Sequence, residues 1–188
     1  MNPDQNIYSL IILAGGNSQR MGEDKGLKTL DGRRFIDHIL QAAAKNIVDK
    51  LIISDNLEHY KLYDFVYPDI IKNQGPLGGI YSGLHYSKTN LNFVVSCDTP
   101  LINKKVFEKL NTEQDEQFDI VHFDQHPLIG IYKKDVCNTL LKLILKKTLS
   151  VRYALSTFKT KVLNTHNLEQ YLTNINTPQQ FQNVQKAN

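Results

Sequence analysis

"LIILAGGNSQRMGEDKGL" occupies Leu10–Leu27, close to the start of the chain. Four apolar residues stop at a Gly-Gly pair, and an arginine, a third glycine and an acid beside a lysine follow. A continuous, β-branched run stopped by glycine reads as a buried strand. In open α/β sheets ligands sit beyond the carboxyl ends of the strands, and residues 14–25 take that place for the first strand. Glycines at 15, 16 and 22 let the backbone approach a ligand, and amides in such a turn form a concavity suited to anions. Arg20 and Lys25 add two positive charges. This composition suits a nucleoside triphosphate, and it also suits a glycine turn with solvated charges. The spacing excludes two familiar phosphate loops, because neither Gly-Lys-Ser/Thr nor G-x-G-x-x-G is present. The loop does not run straight into a long helix, so a helix dipole is not its evident anion trap.

Outward from this loop, short apolar runs alternate with helical patterns. "YSLIILAG", "DKLIISD", "LNFVVSCD", "FDIVHF" and "LIGIYK" read as strands, with "DFVYPD" a weaker one. "RFIDHILQAAAKN" carries Phe35, Ile36, Ile39, Leu40 and Ala43 at helical spacing. "GGIYSGLHYS", "NKKVFEKLN", "DVCNTLLKLILKK" and "TPQQFQNVQ" read as further helices. The order β-α-β-β-α-β-α-β-β-α predicts an α/β sandwich with a largely parallel central sheet. No internal repeat, low-complexity segment or linker interrupts it, so residues 1–188 are expected to form one domain.

The bulk numbers narrow the class. Of 188 residues 41% are hydrophobic, well above a disordered chain. The net charge of +3 comes from scattered lysines with no dense basic stripe, which argues against a nucleic-acid binder. Cys97 and Cys137 make neither a disulfide framework nor a CxxC pair, which fits a reducing compartment. "MNPDQNIYS" has no basic n-region, and no apolar run approaches the roughly 20 residues that span a bilayer. A soluble, cytoplasmic chain with no membrane or nucleic-acid partner is the expectation.

Two further stretches carry chemistry. "VVSCDTP" puts Asp98 where a buried strand ends, before the ladder-breaking Pro100. A lone carboxylate there suits Mg²⁺, which takes few carboxylates plus phosphate and water; it equally suits a turn-capping aspartate. In "NQGPLGGIYSGL" (Asn73–Leu84), Pro76 stiffens a loop that Gly75, Gly78 and Gly79 open for close contact ahead of a helix. Thr177 and Pro178 in "TNINTPQQF" read as an N-cap and first helical residue. The remaining histidines (38, 59, 85, 122 and 166) show no metal-ligand spacing, and no Ser-His-Asp or Cys-His pattern stands out.

"LAGGNSQRMGEDKGL" resembles the signature of the MobA-like nucleotidyltransferases, L-A-G-G-x-S-x-R-M-G-x-D-K. G-P-L-G-G, C-D-T-P, the His-Pro segment "DQHPLIGIY" and N-I-N-T-P resemble its other motifs in order. The resemblance implies a Rossmann-like three-layer α/β/α sandwich with a mostly parallel, mixed sheet, as in nucleotide-diphospho-sugar transferases. It implies that Leu13, Ala14 and Gly15 lie against the nucleoside, Gly16 and Arg20 near the phosphates, and Lys25 on the phosphates. Gly78 falls in the base-recognition segment. Asp69 in "VYPD" matches a nucleotide-binding aspartate, which can accept from guanine N1–H and N2–H₂ or from ribose hydroxyls. Asp98 matches the metal-binding motif and Asn176 an asparagine near metal and phosphates. His126 and Arg152 match positions on the acceptor side.

Gly15-Gly16 with G-P-L-G-G looks most like the guanylyltransferase branch. Its members transfer GMP from GTP to the phosphate of molybdopterin, with Mg²⁺, and release pyrophosphate. Lys25, Arg20 and Asp98 would then carry catalysis in a monomer, with proteins that deliver molybdopterin or receive the cofactor as partners. A cytidylyltransferase using CTP and a non-catalytic nucleotide-binding protein of the same fold are the alternatives. One departure stands out: Ser54 occupies the place of an asparagine that contacts the nucleotide, with Asn56 two residues on.

Overall fold

The computed structural model describes residues 6–15 and 24–187. Seven strands form one sheet: β1 (Tyr8–Leu13), β4 (Ile47–Ile53), β5 (Val66–Tyr67), β6 (Leu91–Ser96), β7 (Ile120–Phe123), β8 (His126–Lys133) and β9 (Thr160–Leu163). Their order is β5-β4-β1-β6-β8-β7-β9. All neighbours run parallel except β8, which is antiparallel to both β6 and β7. Between β1 and β4 lie the hairpin of β2 (Thr29–Leu30) and β3 (Arg33–Arg34) and helix α1 (Phe35–Ala42). The remaining helices are α2 (Leu57–Leu62), α3 (Gly75–Tyr86), α4 (Lys104–Glu113), α5 (Cys137–Leu145), α6 (Val151–Ser156) and α7 (Pro178–Ala187).

β1 shows why three layers form. All six of its residues are buried, with parallel partners on both edges, so both faces need cover. Tyr8, Leu10 and Ile12 join a core with Ile36 and Ile39 of α1 and Val106, Phe107 and Leu110 of α4. Ile11 and Leu13 point the other way, among Leu77, Ile80 and Leu84 of α3, Leu140 and Ile144 of α5, and Leu155 of α6. The alternation is the period-two geometry of a strand. At Gly83 the second layer sits so close that a Cβ would lie 2.3 Å from Ile11 Cγ2. A third, small core joins Leu30 of the hairpin, Phe35 and Ile175, with Leu101, Phe181 and Val184 packed against it.

The expected sandwich and its mixed, mostly parallel sheet are therefore present. Three details differ from the sequence reading. The Gly75–Gly79 stretch is not a loop ahead of a helix but the first turn of α3. Gly75 opens it at φ +61°, a left-handed conformation that glycine tolerates. The hairpin turns at Asp31-Gly32, both at positive φ, as Asp-Gly turns do. α2, α6 and β9 are short, partly exposed elements with little periodic signal.

The topology also places the site. From β1 the chain moves outward through β4 and β5, and α3 then carries it back to β6 on the other side of β1. Strand order reverses there, and ligands of such sheets sit beyond the carboxyl ends at that reversal.

Candidate active site

A cavity of about 610 Å³ opens at this reversal. Leu13, Ala14 and Gly15 reach it from the end of β1, Ser54, Asp55 and Asn56 from β4, and Ser96 from β6. Asp69, Gly75, Pro76 and Gly79 form another wall, and Asp24 borders it. The backbone ladders continue past the strands to hold this rim: Ala14 N–H donates to Ile53 O at 3.0 Å and Cys97 N–H to Leu13 O at 3.0 Å.

Asp69 faces two glycines. A Cβ on Gly15 would lie 3.3 Å from Asp69 Oδ2, and one on Gly79 3.2 Å from Leu13 Cδ2. The lack of side chains there leaves the strand end, the helix start and the carboxylate in close approach. Ser82 Oγ donates to Asp69 Oδ1 at 3.4 Å. Burial, with the Asp55 charge nearby, raises the Asp69 pKa above the ordinary carboxylate value.

Asp98 lies just beyond β6 and is 9% exposed. Its carbonyl accepts from Ile175 N–H at 2.8 Å, and its Oδ1 accepts from Asn174 Nδ2 at 2.9 Å. Asp98 Oδ2 lies 3.8 Å from Lys25 Nζ, which also donates to Asn176 Oδ1. Lys25, Asp98 and Asn176 thus meet at one point from three distant parts of the chain. The Asn174–Asn176 segment is held from its C-terminal side by a reciprocal cap. Gln180 N–H donates to Thr177 Oγ1 at 3.2 Å, while Gln180 Oε1 accepts from the Asn176 and Thr177 amides. This is the expected N-cap with a returning side chain at the third helical position.

The same oxygens bear on a metal. Among the described residues no cluster of three His, Cys, Asp or Glu groups is present. One carboxylate and one amide oxygen converge on a cationic nitrogen. That hard oxygen donor set fits Mg²⁺, which takes its other ligands from phosphate and water.

A second knot lies beside the first. Asp24 Oδ1 accepts from Gly26 N–H at 2.8 Å, and its Oδ2 accepts from Asn56 Nδ2 at 2.7 Å. The fully buried His59 brings Nε2 within 3.2 Å of Asp24 Oδ1. Its Nδ1 is 2.7 Å from Ser54 Oγ. Burial works to raise the Asp24 pKa, but the His59 ring, the Asn56 amide and the Gly26 N–H outweigh it and lower the pKa. His59 was read in the sequence only as a histidine without ligand spacing. The signal that marks it is Asn56 as N-cap of α2, accepting from Glu58 N–H, which turns the next helical turn toward the sheet. Asn56 is committed at both ends of its amide, so it is not a free replacement for the asparagine absent at 54.

Other sequence-predicted residues fall elsewhere. Gly78 is buried in α3 beside the cavity wall. Its absent Cβ would lie 3.0 Å from Gln74 Cβ. His126 starts β8 at the same end of the sheet, two residues before Leu128, which lines the cavity. Arg152 is exposed on α6 and does not line the cavity. Cys97 is buried, and burial pushes its thiol pKa far up, as befits a packing residue. Gly16 and Arg20 lie outside the described residues. Among the described residues no helix is long and apolar enough to cross a membrane.

A mostly parallel sheet with a carboxylate-lined crevice at its reversal, and a lysine set against an aspartate, defines an α/β protein with its candidate site at the carboxyl ends of the strands. Residues 10–160 match the model of the MobA-like NTP transferase domain, and the chain belongs to that family. It is 35% identical over 179 residues to a Flavobacterium johnsoniae protein named "Probable molybdenum cofactor guanylyltransferase", covering 92% of this chain and 94% of that one. A Carboxydothermus hydrogenoformans protein of the same name is 31% identical, with 95% of each chain covered. Among solved structures, molybdopterin-guanine dinucleotide biosynthesis protein A from Archaeoglobus fulgidus superposes with a TM-score of 0.80 at 20% identity, covering 95% and 97% of the two chains. The 4-diphosphocytidyl-2C-methyl-D-erythritol synthase of Anaerococcus prevotii has a TM-score of 0.74 at 13% identity, covering 98% and 96%. These structural likenesses concern the fold.

Proposed function

We propose that this chain is a molybdenum cofactor guanylyltransferase that moves GMP from GTP to the terminal phosphate of molybdopterin. The observation that carries the reading is the meeting of Lys25 with Asp98 and Asn176 beside the cavity. The names of the full-length relatives supply the substrates.

The acceptor is a phosphate monoester, with a second pKa of about 6, so it is largely ionised at neutral pH. It needs no strong general base, which fits a site with no catalytic Ser-His or Cys-His pair among the described residues. An acceptor oxygen attacks the α-phosphorus of GTP and forms a new P–O bond. The bond from that phosphorus to the bridging oxygen breaks, and pyrophosphate leaves with the electron pair. The difficulty is an anion attacking an anion, so catalysis rests on positioning and charge neutralisation.

Lys25 and Arg20 neutralise charge on the triphosphate and on the departing pyrophosphate. Gly15 and Gly16 let backbone amides come close to it. Leu13, Ala14 and Gly78 shape the nucleoside pocket, and Asp69 accepts from the base or the ribose. Asp98 and Asn176 hold Mg²⁺, which supplies further positive charge to the phosphates when bound. His126 and Arg152 belong to the acceptor side. The protein works as a cytoplasmic, single-domain monomer that exchanges molybdopterin with delivering and receiving proteins.

The test is thermal stability with GTP, CTP, ATP or UTP, each with Mg²⁺ and again with chelator. A ligand at 100 times its Kd adds about 2.7 kcal/mol. A shift with GTP alone, lost with chelator, supports the guanylyltransferase, and formation of the dinucleotide from GTP and molybdopterin completes the test. A shift with CTP alone refutes it in favour of a cytidylyltransferase.

A further inference from the structure

His59 has no place in the reaction just described, yet it is 0% exposed and lies against Asp24, the residue before Lys25. It touches two polar groups. Nδ1 is 2.7 Å from Ser54 Oγ, and Nε2 is 3.2 Å from Asp24 Oδ1. Among the described residues Nε2 has no other partner and makes no hydrogen bond of strict geometry. An ionised carboxylate only accepts, so the proton on this ring belongs on Nε2, facing Asp24. Ser54 Oγ also accepts from Asn56 N–H at 3.1 Å, which leaves the serine hydroxyl proton for Nδ1.

The trio has the residue types of a hydrolytic triad but the reverse wiring, with serine on Nδ1 and the acid on Nε2. Ser54 is 1% exposed and its oxygen is doubly engaged. It is not a nucleophile. What the trio does is fix Asp24. The carboxylate accepts hydrogen bonds from Asn56 and the Gly26 amide and lies 3.2 Å from the His59 ring, and the next residue is Lys25. The turn is closed by Leu27 N–H to Asp24 O at 3.2 Å and Lys28 N–H to Lys25 O at 3.2 Å. Gly26 is packed into this grip: a Cβ there would lie 2.8 Å from Ile36 Cδ1 and 3.0 Å from His59 Nε2.

We propose that His59 is a positioning residue: through Asp24 it ties the turn that carries Lys25 to the end of β4 and so holds Lys25 over Asp98 and Asn176. The proposal rests on the reading of residues 14–25 as a phosphate loop but not on the identity of the base.

The test compares His59→Gln with His59→Asn in the full chain. Glutamine keeps an N–H donor near the Nε2 position, facing Asp24. Asparagine keeps one near Nδ1, facing Ser54, and loses the link. The readouts are calorimetric affinities for inorganic tripolyphosphate and for GTP, each with Mg²⁺, and the unfolding temperature. His59→Asn is expected to bind tripolyphosphate about tenfold more weakly than His59→Gln, the scale of one lost hydrogen bond to a charged group. Equal affinities in two folded variants overturn the proposal. If either variant fails to fold, Asp24→Ala against Asp24→Asn tests the contact from the Asp24 side, where the side chain is 20% exposed, with the same expectation and the same refutation. Parent protein that binds tripolyphosphate but not GTP refutes the guanylyltransferase and leaves the glutamine-to-asparagine ratio to decide this proposal. Parent protein that binds neither overturns both.

Discussion

Lys25 donates to Asn176 across 151 positions of sequence, and the same ammonium lies 3.8 Å from Asp98. Three chain segments are thus tied at a half-buried cation. Charge neutralisation by Lys25 works mainly in the transition state, so Lys25→Ala should lower turnover by about 100-fold or more at saturating substrates. The stability cost should stay within about 1 kcal/mol. Asn176→Ala should lower turnover by roughly tenfold, since it removes one contact to the same cation. Steady-state kinetics beside thermal unfolding check both, and parental turnover in Lys25→Ala would remove lysine from the mechanism.

Asp69 gives a pH dependence of definite sign. Its pKa is raised by burial and by Asp55, so the folded state binds its proton more tightly than the unfolded chain does. The stability it contributes is present below the unfolded value of about 3.8 and is lost as pH rises through the raised folded value. At neutral pH the ionised group therefore strains the empty protein. Asp69→Asn should raise the unfolding temperature at pH 7 and weaken GTP binding in the same protein. In the parent, GTP affinity should fall with acid at a pH above the usual carboxylate range, and this limb should vanish in the variant. Titration calorimetry across pH reads both effects.

Gly83 lets α3 pack tightly against β1. With a Cβ placed 2.3 Å from Ile11 Cγ2, Gly83→Ala should destabilise by about 1–3 kcal/mol. That corresponds to roughly 2–12 °C in Tm for a chain of this size. Adding Ile11→Ala should recover part of the loss, because the two side chains compete for one space. Denaturation of the two single variants and the double variant measures the coupling.

The small third core carries the next expectation. Phe181 of α7 lies 6.1 Å from the Phe35 ring, and Lys28 Nζ sits 4.6 Å from its centroid. Phe181→Ala should cost about 1–2 kcal/mol for a partly buried ring. It should also lower turnover several-fold, since the turn after Lys25 and the segment before α7 share this core. Unchanged kinetics in a destabilised Phe181→Ala would show that the core supports the fold alone.

Much of this was legible in the sequence because its signals are local. The buried run of β1, the helical spacing of α1 and the Thr177-Pro178 start of α7 all rest on neighbours within one or two turns. Asp98 was legible because a strand, an acid and a proline follow one another. The first turn of α3 was misread as a loop because its glycines are usually helix breakers; here Gly79 stands where a side chain would crowd Leu13. β9 escaped notice because it is a four-residue edge strand, with Val162 55% exposed. The Asp24–His59 grip escaped for another reason. Its partners are 35 positions apart, and only the fold brings α2 against Asp24.

The hydrogen bonds that Asn174 donates to Asp98 and that Asn176 accepts from Lys25 also bear on how the chain folds. All seven strands of the main sheet end by Leu163, so the sheet and the segment that closes the site come from different stretches of sequence. Lys25 and Asn176 stand 151 positions apart, and a contact of that separation is reached at the least entropic cost once the sheet between them has brought the two segments together. The charge cluster is thus a product of the folded sheet and not a nucleus for it.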